Sequence, residues 1–458
     1  MYLQLEERLG DRVCAVLKEK FDIDVARIPM ETPPDLKLGE MATPVALQLA
    51  RTLRKAPKMI AQEIVAAIGP LQGFASYEVA GAGYINARLD RALASRGIAS
   101  GIGLAATASG VHALVEHTSI NPNKAAHIGH LRNAILGDAF VRLLRAAGQQ
   151  VTVQNYIDNT GVQVADVVVG FLYLEGRSAA EVRALIADCT SRFAESGKFA
   201  DAVDYYCWDL YARTSQWYAS GTEAENAGRK KLRYETLHAI EHGGNETADI
   251  AELISTAVLK RHLETMLRLE IEYDFLPRES EILHLRFWES AFDLLKQTGV
   301  LYFENEGKNK DCWVMTRPGN TARDNQSEDG LKDTDEDAKV IVRSNGTVTY
   351  VGKDIAYHLW KFGLLGKDFG YREFFTYPAH TCWISTSENG AKHHPHFGGA
   401  QAIYNVIDSR QSDPQANVIE ALRGMGHAAQ ADRYVHFSYE MVALTPRCAR
   451  ELGYEVAE

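Results

Sequence analysis

Residues 121–132 read Asn121-Pro122-Asn123-Lys124-Ala125-Ala126-His127-Ile128-Gly129-His130-Leu131-Arg132. The apolar run Val111-His112-Ala113-Leu114-Val115-Glu116 precedes them and predicts a buried strand. After them, helical periodicity runs from about Gly129 to Ala147 and stops at Gly148. A second strand is predicted over Val151–Ile157. This is a strand–turn–helix–strand unit of the kind that nucleotide-binding α/β folds use. Its turn puts two histidines around one glycine at a helix start. There, backbone N–H groups and the helix dipole already favour anions. The imidazoles add donors, and the glycine admits close approach by a ligand.

Upstream, Leu5, Leu9, Val13 and Leu17 form one helical stripe. Thr43-Pro44 has the character of an N-cap followed by a first-turn proline, with Val45, Leu49 and Leu53 facing inward. Pro57 restarts a helix carrying Ile60, Ile64 and Ile68. Tyr77–Leu89 reads as extended chain broken by Gly81-Ala82-Gly83. Residues 1–100 are therefore expected to form a small α+β module, with a basic edge at Arg51, Arg54, Lys55 and Lys58. Gly97–Gly110 reads as a connector.

Downstream, residues 166–300 are helical in pattern, and 317–339 are loop-like with the acidic run Asp333–Asp337. Strand signals return at Val340–Arg343, Thr347–Tyr350 and Asn405–Asp408, with a helix expected over Asp354–Phe362. The predicted architecture is one α/β domain over 106–458, interrupted by a helical insertion at about 166–300.

The 458 residues carry a net charge of −11, with 46 % apolar and 24 % charged residues, so two to four folded domains are expected. The acidic balance gives no support to nucleic-acid binding, although net charge averages over faces. No run of 18 apolar residues is present, and the charged, amphipathic start is unlike a signal peptide. Six scattered cysteines without a Cys-x-x-Cys pair fit free thiols in a reducing cytosol.

The tetrad His127-Ile128-Gly129-His130 matches the HIGH motif of class I aminoacyl-tRNA synthetases. Glu116, Ser119, Asn121, Lys124, Leu131-Arg132 and Gly137-Asp138 stand around it in the order and spacing of the arginyl-tRNA synthetases, which the chain resembles over essentially its full length. Leu38–Thr43 and Val79–Asn86 resemble that family's extra N-terminal domain, which contacts tRNA. Thr349–Ala356 resembles its substrate-reading helix, and Val406–Gln411 a later strand with its glutamine.

The resemblance implies a Rossmann-like, parallel-sheet catalytic domain behind a small α+β tRNA-binding domain. It also implies a cytoplasmic ligase that activates arginine with ATP and transfers it to tRNA. His127, Gly129 and His130 would bind ATP, with His127, His130 and Lys124 catalytic. Mg²⁺ would come with the nucleotide, with no protein-held metal and no membrane. Glu116, Ser119, Asn121, Tyr350, Asp354 and Gln411 would bind arginine, because a planar guanidinium wants carboxylates in fixed geometry.

The family's second ATP loop, KMSKS, is not found. Val435–Leu444 resembles the segment leading toward it, and the helical anticodon-binding domain does not follow. The resemblance is thus to an N-terminal portion, which a second polypeptide could complete. Lys124 occupies the position that compensates in family members lacking a standard second loop. Two rival readings stay open: a fragment that binds ATP, arginine or tRNA without turnover, and a same-fold ligase for a small acceptor. Among the blander features, His393-His394-Pro395-His396 lacks paired zinc-ligand spacing and reads as a loop. Arg229-Lys230-Lys231 with Arg233 reads as a solvated helix face.

Overall fold

The computed structural model describes residues 2–100, 110–316, 338–346, 348–388, 390–442 and 445–454. The acidic run Asp333–Asp337 lies outside them. The chain divides into two compact units, Met1–Thr107 and Ala108–Glu458.

In the first unit, helix Tyr2–Phe21 buries the stripe Leu5, Leu9, Val13 and Leu17 against Ile60, Ile64 and Ile68 of helix Pro57–Ile68. Strands β1 (Met41–Thr43), β2 (Phe74–Ala80) and β3 (Tyr84–Leu89) form an antiparallel sheet in the order β1-β3-β2. Two expectations need correction. Thr43 ends β1 and is not the N-cap, which falls on Pro44 before helix Val45–Leu53. The threonine still serves the helix start, since its Oγ1 accepts from Val45 N–H at 3.3 Å. The connector starts later than Gly97, because Asp90 accepts from Leu93 N–H and caps an unforeseen helix, Arg91–Ala99.

In the second unit the strands are β4 (His112–Glu116), β5 (Gln150–Gln154), β6 (Phe275–Leu276), β7 (Leu301–Glu304), β8 (Cys312–Thr316), β9 (Ala338–Val342), β10 (Gly370–Thr376), β11 (Thr381–Thr386), β12 (Ala402–Asp408) and β13 (Tyr434–Tyr439). The main sheet has the order β10-β11-β6-β5-β4-β12-β13. Neighbours from β11 to β13 run parallel, and β10 is an antiparallel edge. The chain leaves β4 toward β5 and β6 on one side and reaches β12 and β13 on the other. The sheet therefore reverses its winding at β4, the switch point where ligands bind beyond the strands' carboxyl ends.

The helical insertion lies between β5 and β6, from Val162–Val169 to Glu246–Leu267. It ends earlier than residue 300, because β6 belongs to the sheet; two residues are too few to show a period. Of the strands predicted beyond 340, only β12 joins the parallel sheet, where the unforeseen β11 and β13 also run parallel. Strand β9 pairs with β8 in a separate antiparallel sheet, β7-β8-β9. The strand expected over Thr347–Tyr350 falls partly outside the described residues, and residues 348–350 do not form one. Val348 makes one bridge to Val342, and Thr349 turns the chain into helix Tyr350–Lys361, with its hydroxyl on the carbonyls of Val340 and Ile341. No helix among the described residues is long and apolar enough to cross a membrane.

Candidate active site

Strand β4 ends on Glu116, and the chain turns sharply there. Thr118 and Ser119 both have positive φ, 75° and 43°. That costs energy for side-chain-bearing residues, most of all for β-branched threonine. The turn is pinned by Thr118 N–H to Asn133 Oδ1 (2.6 Å), Thr118 Oγ1 to Tyr273 Oη (2.7 Å) and Ser119 N–H to Asn155 Oδ1 (2.8 Å). Beside it, the buried His117 ring takes the space of a side chain at helix position 137. A Cβ on Gly137 would stand 2.2 Å from His117 Cγ. The glycine of the Gly137-Asp138 pair is thus what lets helix Ile128–Ala146 approach the strand end.

That helix opens on the two histidines in a reciprocal capping arrangement. His127 Nδ1 accepts from Gly129 N–H at 3.2 Å, and His130 Nδ1 accepts from His127 N–H at 3.3 Å. The rings stack with centroids 3.7 Å apart. With both Nδ1 atoms accepting, each neutral ring carries its proton on Nε2. Burial, then the neighbouring His127, His262 and Lys124, hold His130 down to about 3; burial and Lys124 lower His127 as well. The helix start therefore presents neutral Nε2–H donors, not imidazolium charges.

Positive charge comes from Lys124. Its Nζ donates to Gln163 at 3.3 Å and lies 4.8 Å from the centre of the Tyr211 ring, and partial burial lowers its pKa. Its carbonyl accepts from His262 Nε2 at 2.7 Å, and Ala125 N–H donates to Asp204 O at 3.1 Å. The insertion thus holds this segment.

Glu116 meets helix Tyr350–Lys361. Lys361, with no exposed surface, places Nζ 2.9 Å from Glu116 Oε2, and the Tyr357 hydroxyl is 2.9 Å from the same oxygen. Asn405, His358, Gln415 and Tyr434 continue the buried network behind the lysine. Asp354, one turn before His358, has no hydrogen bond or ion pair to its carboxylate among the described residues. Burial, then Glu279 and Glu116, push it up to about 7. Glu279 is paired with Lys353 at 3.0 Å. Asp158 shares a hydrogen bond with Glu279, and burial followed by that neighbour pushes Asp158 up to about 8. Asn121 Nδ2 donates to Asp158 Oδ2 at 3.3 Å. The result is an acid-rich cluster in which Glu116 and Glu279 pair directly with lysines, while Asp354 and Asp158 make no ion pair among the described residues.

The structure therefore brings Glu116 and Asp354 together, with Asn121 reaching Asp158 beside them. Tyr350 is 58 % exposed at the helix start, and Gln411 is exposed in the turn Ser409–Gln411 after β12. Tyr357, Lys361, Asp158 and Glu279 were not foreseen. The spacing Tyr350, Asp354, Tyr357, Lys361 marks one helix face and was the available signal for two of them. Asp158 and Glu279 carry no such pattern. Elsewhere, Arg233 is bound to buried Asp166 and Arg229 lies over Trp217, so those two residues of the basic run are structural. Among the described residues no group of three or more His, Cys, Asp or Glu is placed to hold a metal.

The strand order and the loop and helix after β4 define a class I aminoacyl-tRNA synthetase catalytic domain. The family model described as "tRNA synthetases class I (R), catalytic domain" matches residues 99–254, and "Arginyl tRNA synthetase N terminal domain" matches residues 5–89. The arginine–tRNA ligase of Thermococcus sibiricus is 32 % identical over 96 % of this chain and 67 % of its own length. That of Thermococcus kodakarensis is 34 % identical over 91 % of the chain and 62 % of its own. The solved structure of Thermus thermophilus arginyl-tRNA synthetase superposes with a TM-score of 0.72 at 32 % identity, covering 94 % of this chain and 65 % of that one. The chain belongs to the arginyl-tRNA synthetase family.

Proposed function

We propose that the chain acts as an ATP-dependent arginine–tRNA ligase. In the first step an arginine carboxylate oxygen attacks the α-phosphorus of ATP, and pyrophosphate leaves. In the second, a hydroxyl of the tRNA's terminal ribose attacks the resulting mixed anhydride, and AMP leaves. Displacement at phosphorus needs positioning and charge neutralisation more than covalent help. In this reading the His127 and His130 Nε2–H donors and Lys124 hold the phosphates, and Gly129 leaves the helix start open to them. Mg²⁺ arrives with the nucleotide, whose leaving pyrophosphate it neutralises.

The observation that carries the reading is Asp354, a partly buried carboxylate that makes no ion pair among the described residues, beside Glu116 and Glu279, which each hold a lysine. A guanidinium supplies that missing charge. Glu116 offers its second oxygen, Tyr350 and Gln411 close the outer side, and Ser119 and Asn121 take the amino-acid end. The N-terminal unit contributes tRNA binding. The setting is cytoplasmic.

Arginine-dependent ATP–pyrophosphate exchange, measured with tRNA present, tests the proposal. Exchange that requires arginine and falls sharply, with a raised arginine requirement, in Asp354→Asn supports it. No exchange above background would reduce the chain to a binding module.

A further inference from the structure

The helical insertion contains a cleft that the reaction above does not use. It has a volume of about 690 Å³ and lies between helices Ala179–Ser196 and Glu246–Leu267. Its walls are mostly apolar, with Ile186, Phe193, Val203, Leu253 and Ala257 prominent. Two acids line it, and both are spoken for: Glu252 binds Arg278 at 2.9 Å, and Glu264 binds Arg261. Arg183 and Lys260, which also line it, make no ion pair among the described residues. The uncompensated charge of the cleft is therefore positive. An apolar body with one anionic head is the chemistry that matches such a wall and rim.

The back wall is continuous with the segment that carries Lys124. Val203 and Arg261 line the cleft, and the next residue after each one grips that segment: Asp204 through its carbonyl to Ala125 N–H, His262 through Nε2 to the Lys124 carbonyl. Tyr211, under the Lys124 ammonium, stands on the helix that Val203 begins. The wall also holds unmet polar capacity. Arg261 Nε and Asp204 Oδ1 are buried and 3.6 Å apart, too far for a hydrogen bond, and neither atom has another partner. The Arg261 guanidinium is ion-paired with Glu264 and Asp204, yet buried atoms left without a hydrogen bond call for a cause. A ligand drawing Arg261 toward the cleft, or letting it close on Asp204, would shift the residue next to the grip on Lys124.

We infer that this cleft is a binding site for a small organic anion with an apolar body, and that its occupancy is felt at the Lys124 segment. The inference is independent of what the catalytic pocket binds.

The probe is 8-anilinonaphthalene-1-sulfonate, titrated by fluorescence into the full chain, with N-phenyl-1-naphthylamine as its uncharged counterpart. Saturable one-to-one binding of the sulfonate is expected. Its affinity should fall at least tenfold in Ala257→Trp, which fills the cleft, and several-fold in the double variant Arg183→Ala/Lys260→Ala. The double variant alters only exposed side chains and keeps the test valid if the tryptophan disturbs folding. The neutral probe should bind more weakly and ignore the double variant. With the sulfonate saturating, amide hydrogen exchange of residues 122–131 should change at least threefold, and not in Ala257→Trp. Binding indifferent to both variants would overturn the site, and cleft binding that leaves exchange at 122–131 unchanged would overturn the coupling.

Discussion

Lys361 Nζ lies 2.9 Å from Glu116 Oε2, and the lysine has no exposed surface at all. The pair joins the end of the central strand to the last turn of helix Tyr350–Lys361, and so fixes Asp354 relative to β4. Burial lowers the lysine's pKa, and Glu116 opposes that shift. Breaking one side of a buried pair leaves the other charge uncompensated, at a typical cost of about 3–5 kcal/mol. Lys361→Met should therefore destabilise the second unit by about that much. The double variant Lys361→Met/Glu116→Gln should recover most of the loss. Urea unfolding of the two single variants and the double measures the coupling, and simple additivity would show that the pair is not a unit.

Asp354 makes the proposed arginine site pH-sensitive. Its carboxyl is raised to about 7, so most of it is neutral at pH 6. A guanidinium needs the ionised form, so arginine binding must release a proton below that value. The dissociation constant should fall about tenfold per pH unit up to pH 7 and level off above it. Calorimetry in buffers of different ionisation enthalpy reads the proton directly. Asp354→Asn should bind weakly and without this slope.

The same residue should weigh against stability. A folded pKa raised above the unfolded value means that the folded state holds the extra proton between about pH 4 and 7. Stability is therefore lost as pH rises through that window. Asp354→Asn removes the penalty and should be more stable than the parent by up to about 4 kcal/mol at pH 8, with no gain near pH 4. Thermal unfolding at the two pH values decides it. Equal stability at pH 8 would show that the carboxylate is well solvated in the free protein.

What the sequence made legible follows from how far each signal reaches. The strand-to-helix passage around His127 and His130 is local, and its cap, glycine and terminator all lie within 40 residues. The helix carrying Asp354 was visible for the same reason, although its first turn, with Tyr350, read as strand. Strand β6 was not, because its place between β5 and β11 is set by partners and not by its own two residues. Lys361 was passed over because a lysine at a helix end reads as a solvated cap, and only the fold shows Glu116 and Asn405 closing over it. Asp158 and Glu279 follow different strands, and each meets the other's charge only once β5 and β6 are neighbours.

Gly137 carries a steric prediction. In a helix interior, glycine is about 1 kcal/mol worse than alanine, so Gly137→Ala would ordinarily stabilise. Here the new methyl would meet the His117 ring, with atoms at 2.2–2.7 Å. The ring is enclosed and cannot step aside, so overpacking should dominate and cost about 1–3 kcal/mol. Adding His117→Ala should turn the alanine at 137 from harmful to neutral or better. A double-mutant cycle in urea checks the reversal of sign.

The two histidines separate stability from chemistry. Each spends Nδ1 on a backbone N–H of the helix start, a capping bond worth about 1 kcal/mol. Each is left with Nε2–H, the ring nitrogen not spent on the cap. His127→Asn keeps a good cap and removes the Nε2 donor, so folding should change by less than about 1 kcal/mol. The pyrophosphate exchange rate should nevertheless fall by about 10²–10³, the usual loss for one donor aimed at developing charge. His130 is held down to about 3, so its ring is already neutral at pH 5. The exchange profile between pH 5 and 9 should then carry no limb from its protonation, and any acid limb near 7 should disappear with Asp354→Asn. An acid limb surviving in that variant but lost on replacing His130 would mean that the working ring is an imidazolium, and the neutral-donor account would fall.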